Sequence, residues 1–101
     1  MAREQFQTLT EPMFYILLAL LEERCGVDIM EKVDELSGGR ISVGPGTLYN
    51  LLPKLEKSGF IERTREEGRQ KWYVISVSGQ ELLQKEISRM KRQLMDYERL
   101  F

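Results

Sequence analysis

Thr47, Asn50, Lys54 and Lys57 recur at steps of three, four and three residues. On a helix that spacing lines them along one face. The face carries a small hydroxyl, an amide and two ammonium groups, which are groups that hydrogen-bond base edges and pair with phosphates. A polar face with lysines also fits an ordinary solvated helix surface, because the periodicity is the same. The rest of the chain separates the two readings.

The other reactive residue types narrow the chemistry. Without histidine, neither a Ser-His-Asp nor a Cys-His site can be built, nor a His-ligated metal centre. The single cysteine, Cys25, excludes an internal disulfide framework and suits a reducing cytoplasm. It has no evident base beside it, so an inert thiol is expected. No metal-ligand cluster and no nucleotide-binding Gly-rich loop is apparent, so the expectation is no cofactor, no metal and no enzyme. No apolar run reaches membrane-spanning length, and residues 1–10 lack the basic-then-apolar order of a signal peptide, so no membrane is expected.

The net charge of −1 hides a strong asymmetry. Residues 1–39 hold three Lys/Arg against eight Asp/Glu, a balance of −5. Residues 40–72 hold seven against four, a balance of +3, and residues 73–101 hold five against four, a balance of +1. Local sign decides where a polyanion can dock, and the positive segment contains the face described above.

That face belongs to GPGTLYNLLPKLEKSGF, residues 44–60. Gly44 can cap a helix and Pro45 suits its first turn. Leu48, Leu51, Leu52 and Leu55 fall opposite the polar stripe, and Gly59 stops the helix. Pro53 sits inside it, a conflict normally costing about 3 kcal/mol. One kinked helix is expected, with Pro53 on the polar side and the kink following a curved partner.

Residues 1–7 read as a loose lead-in. Thr10 then caps a run, residues 13–21, that is apolar nearly all round and so is expected to be buried on more than one side. Residues 27–36 form a second amphipathic helix with an acidic outer face, ended by Ser37-Gly38-Gly39. Residues 40–43, RISV, alternate like one brief strand. Residues 60–65 and 70–77 flank a Glu66-Glu67-Gly68-Arg69 tip and read as a β-hairpin, with Trp72 and Tyr73 expected to pack against the helices. Ser78 with Glu81 forms a capping box for the last helix. There Leu83, Ile87, Met90, Leu94, Tyr97 and Phe101 recur with a mean period of about 3.5, a coiled-coil seam. A symmetric dimer through that seam is the preferred reading, also engaging Phe14, Leu17 and Leu21 of the apolar run. Packing of the seam onto its own domain is the alternative.

Helix, helix, short strand, amphipathic helix, hairpin and long helix make a mainly α fold with a small β-hairpin (α+β). This is a winged helix-turn-helix domain over residues 1–77 plus a C-terminal dimerisation helix over 78–101. Here the sequence resembles the PadR family of bacterial transcriptional regulators. The resemblance rests on LTEPMFYILLALLEE (9–23), GPGTLYNLLPKLEKSGFIE (44–62) and KWYVISVSGQELL (71–83), about half the chain and in the family's order. Its size, with one C-terminal helix, is that of the smaller branch. Cys25-Gly26-Val27 stands where the family commonly has a His-Gly-Tyr-like step, and Pro53 departs from the general pattern. The resemblance implies a dimeric repressor, some of which are relieved by small molecules. A cavity between residues 13–21 and the last helices of two chains could admit a small hydrophobic effector.

The sequence therefore leads to a cytoplasmic homodimer binding double-stranded DNA at an inverted repeat. Thr47, Asn50 and Lys54 are the expected contacts to base edges or adjacent phosphates, since Asn suits adenine and Lys reaches guanine acceptors. The Tyr49 hydroxyl, on the flank, could meet a phosphate, although packing serves it equally. Amides near Gly46 and Thr47 lie at a helix N-terminus, which favours phosphate. Arg69 and Lys71 on the wing would contact the backbone or minor groove, with Arg40 and Arg63 as weaker candidates. The rival is a winged-helix protein-interaction module that binds no DNA.

Overall fold

The computed structural model describes residues 9–101, so the lead-in expected over residues 1–7 lies outside the described residues. The elements run α1 (Glu11–Ala19), β1 (Arg24–Cys25), α2 (Gly26–Leu36), α3 (Pro45–Lys57), β2 (Ile61–Glu67), β3 (Gln70–Ile75) and α4 (Val77–Glu98). The three strands form one antiparallel sheet in the order β1-β3-β2. This is the expected winged helix-turn-helix, with the first turns of α4 rooted in its core through Leu83.

Thr10 starts α1 as expected, its hydroxyl accepting from the Met13 N–H at 3.3 Å. The helix stops at Ala19, two residues before the apolar run ends. Met13, Ile16, Leu17 and Ala19 are buried, and Phe14, Tyr15 and Leu18 are half-buried against the same core, so the run is covered on more than one side. α2 adds Ile29 and Val33, α3 adds Leu48, Leu52 and Leu55, and the sheet adds Ile61, Tyr73 and Ile75.

Three local expectations are corrected. Residues 40–43 form no strand. Ile41 and Val43 turn toward the core while the Ser37 side chain holds the loop, accepting from the Ile41 N–H at 3.0 Å and donating to its carbonyl at 3.2 Å. The third strand is Arg24–Cys25, which pairs with Tyr73 and Trp72 of β3. Two residues are too few to show an alternating pattern, so only the partner strand defines it.

The second correction concerns the cap of α4. Ser76, not Ser78, is the N-cap. Its hydroxyl accepts from the Gly79 N–H at 3.0 Å and donates to the Gly59 carbonyl at 2.6 Å, joining the end of α3 to the start of α4. Gly79 packs so closely there that a Cβ would overlap the Phe60 carbonyl oxygen and the Ile75 side chain. A capping box at Ser78 loses to this tertiary bond because it would have shifted the helix start away from β3.

β2 and β3 make the wing. Glu67 pairs with Gln70, so the turn is Gly68-Arg69, tighter than the four-residue tip expected. Gly68 takes φ +59°, at the first central position of a two-residue hairpin turn, where a residue without Cβ is favoured. Thr64 bulges from β2 between Arg63 and Arg65, and its hydroxyl bonds Glu23 of the α1–β1 connection.

Candidate nucleic-acid interface

α3 is held by its leucines, and that fixes what it shows outward. It runs unbroken from Pro45 to Lys57 with Gly44 as N-cap. Leu48, Leu52 and Leu55 are sealed in the core, so Thr47, Asn50, Lys54 and Lys57 are exposed together on the opposite side. Gly46 is exposed at the first turn. Pro53 deprives the Tyr49 carbonyl of its helical donor. Tyr49 and Pro53 are both exposed, so water can take that donor's place. Pro53 faces a cleft toward the wing rather than the Thr47–Lys54 stripe.

Tyr49 leans across α2. A Cβ on Gly26 would lie 2.5 Å from the Tyr49 hydroxyl oxygen, so a larger residue there would make the Tyr49 ring shift. The ring remains more than half exposed at 56%. Gly26 thus lets the Tyr49 ring rest against the start of α2, and no motif in the sequence marks that role.

The cations sort into two groups. Arg40 donates to Glu11 at 2.9 Å and to the Tyr15 hydroxyl at 2.8 Å, strapping the α2–α3 loop to α1. The hydrogen bond with Glu11 is the main reason its pKa is held above the usual arginine value. Arg63 pairs with Glu56 of α3 at 3.2 Å and Glu66 at 3.3 Å, and the Glu56 bond raises its pKa likewise. Arg65 lies over the Trp72 ring, 3.9 Å from its centre, and pairs with Glu67 at 3.9 Å. Trp72 is therefore half-buried under a wing arginine, not packed into the helices, whereas Tyr73 is in the core and burial pushes its phenol up.

Lys54, Lys57, Arg69 and Lys71 have no carboxylate partner among the described residues. Two lie on the outer face of α3 and two at the wing turn. No acidic residue of α2 pairs with these four cations among the described residues, and Glu35 is taken by Lys32 at 2.8 Å. Cys25 is buried, and its thiol donates to the Asp28 carboxylate at 3.4 Å.

The residues of the expected dimer seam divide. Leu17 and Leu83 are sealed in the core of this one chain, and Phe14 and Ile87 are half-buried. Leu21, Met90, Leu94, Tyr97 and Phe101 are exposed, Leu94 at 55% and Phe101 at 90%. The Tyr97 and Phe101 rings pack on each other, 4.8 Å between centres, beyond the body of the domain. No described helix is long and apolar enough to cross a membrane.

Residues 16–85 match the transcriptional regulator PadR-like family. A transcriptional regulator from Clostridium thermocellum superposes with a TM-score of 0.72 at 20% identity, over 88% of this chain and 92% of that one. A PadR-like transcription factor from Bacteroides fragilis gives 0.72 at 22% identity, over 97% and 95%. An uncharacterized 37.1 kDa protein in transposon TN4556 of Streptomyces fradiae is 36% identical over 67 residues. Those residues are 66% of this chain but span only 19% of that relative's length.

Proposed function

The chain belongs to the PadR-like family of transcriptional regulators, and from that premise we propose that it is a homodimeric repressor reading double-stranded DNA. The observation that carries the reading is the sorting of the cations. Arg40, Arg63 and Arg65 are spent on carboxylates of the same chain. Lys54, Lys57, Arg69 and Lys71 are left without one among the described residues, on the two elements that a winged helix presents to DNA. Asn50 and Thr47 are exposed on α3 N-terminal to its two lysines, as the groups able to discriminate bases. Arg69 and Lys71 act on phosphates and set register without sequence preference.

A two-fold dimer fits this reading because one α3 covers only a half-site. The exposed stripe Met90, Leu94, Tyr97 and Phe101 supplies the dimer contact. An open groove of about 750 Å³ beside α1 and the root of α4, floored by Leu18, Leu21, Val77 and Ile87, supplies its complement. The same groove, closed by a second chain, is where a small hydrophobic effector would act.

The test is selection of bound duplexes from a random pool, followed by fluorescence titration at several salt concentrations. An inverted repeat with half-sites roughly 34 Å apart is expected, with affinity falling steeply as salt rises. Absence of both sequence preference and salt dependence overturns the reading in favour of a protein-interaction module.

A further inference from the structure

The cleft between α2, α3 and the wing has a composition suited to a ligand. Its volume is about 390 Å³, inside the range of roughly 300–1,000 Å³ found for small-molecule sites. One side is apolar, formed by Val27, Leu52 and Pro53. The other presents Arg69 and Lys71 from the wing. Its one acidic lining residue, Glu56, is already neutralised by Arg63 at 3.2 Å. The cleft therefore keeps two positive charges facing an apolar wall.

We propose that this cleft binds a small phosphate monoester, a phosphate carried on a compact planar or apolar body, and that such a ligand competes with DNA. The competition rests on the DNA reading above, because Arg69 and Lys71 serve both. A guanidinium grips phosphate with two parallel hydrogen bonds, and an ammonium adds a point charge. A backbone phosphate and a free ester offer those cations the same chemistry. The apolar wall separates the sources, since it rewards a body that can lie against Val27 and Pro53. A ligand there touches α3 through Pro53 and the wing through Lys71, so it occupies the space between the two reading elements.

The experiment uses the full chain at constant ionic strength. Binding of adenosine 5′-monophosphate, adenosine and inorganic phosphate is measured by calorimetry, and each is then tested for displacement of a labelled duplex. The monophosphate is expected to bind and displace, adenosine to do neither, and inorganic phosphate to need at least about tenfold higher concentration. Lys71→Ala should weaken the monophosphate about tenfold in calorimetry, a readout that needs no DNA. Val27→Trp fills the apolar side while leaving both cations, so it should keep duplex binding and lose displacement by the monophosphate. The proposal is overturned if the monophosphate does no more than potassium chloride of equal ionic strength. It is equally overturned if inorganic phosphate matches the monophosphate, or if Lys71→Ala leaves calorimetric binding unchanged. A protein that binds duplex but no monophosphate sinks this proposal alone. One that binds the monophosphate but no duplex sinks the DNA reading, and the competition with it, and keeps the binding site.

Discussion

α3 and α4 are both amphipathic, and they treat their two faces in opposite ways. α3 seals its leucines in the core and exposes a hydroxyl, an amide and two amines. α4 does the same only at its root, where Leu83 and Glu86 are buried. From Met90 onward every residue of the chain is exposed, apolar ones included. A polar face in water needs no partner, so α3 argues for one only through its chemistry. A row of exposed Leu, Tyr and Phe forgoes about 25 cal/mol for each Å² it could bury, so α4 argues for a partner through energy.

The largest effect is expected at the root of α4. Gly79→Ala places a methyl against the Phe60 carbonyl, and backbone on both sides has to give. A loss of about 3 kcal/mol or more is expected, read as a lower denaturation midpoint in urea. An unchanged midpoint would mean that α4 is not fixed to the domain at this point. The distal half should behave differently. Leu94→Asp puts a charge in the exposed stripe, costing several kcal/mol if a partner buries it. Light scattering should then show a dimer becoming a monomer with an intact fold. A wild-type monomer at micromolar concentration would mean that no second copy of the chain buries this stripe.

The contrast between these helices also explains what the sequence could reveal. Long periodic elements were legible: the leucine face of α3, the wing and the extended α4 all follow from spacing. Features decided by a distant neighbour were not. β1 exists because β3 is there, and Ser76 displaces Ser78 as a cap because Gly59 offers a carbonyl from the preceding helix. At the candidate interface, Thr47, Asn50 and Lys54 are exposed as their spacing implied, and on the wing Arg69 is exposed while Lys71 is half-buried. What the spacing of Arg40 and Arg63 did not reveal is that Glu11 and Glu56 reach them first. Nor does a lone glycine announce that Tyr49 leans on it.

On α3 the expected effects are smaller and concern DNA. Asn50→Ala should relax preference at one base pair per half-site by about 1–3 kcal/mol, with general affinity nearly kept. Arg69→Ala should instead weaken all duplexes alike and reduce the magnitude of the salt slope by about one. Titrating both variants against matched and mismatched duplexes separates the outer face of α3 from the wing. If Asn50→Ala behaves like Arg69→Ala, the amide positions the protein and some other residue, Thr47 or Lys54, does the reading.

The smallest effect marks where α4 leaves the domain. Glu86 is its last buried residue, bonded to Arg89 at 2.6 and 3.0 Å. The Arg89 bond, helped by a backbone hydrogen bond from Leu9, holds the Glu86 carboxyl below its ordinary value of 4.5. A carboxyl depressed in the folded state binds fewer protons there than in the unfolded chain. Its stabilisation is therefore fully present above about pH 4.5 and disappears as the pH falls through the lower, folded value. Glu86→Gln should cost about 1 kcal/mol at neutral pH, discounted because Arg89 is partly exposed. That gap between wild type and variant should close as the pH falls below 4.5, measured by urea unfolding across pH 3 to 7 (a range of roughly one titration on either side). The protection factor of the Leu9 amide, its exchange relative to the intrinsic rate at each pH, should fall over the same interval while the amides of Leu52 and Leu55 in α3 stay protected. If α3 loosens together with Leu9, the pair stabilises the whole domain, and Glu86 is no boundary between the docked and the protruding halves of α4.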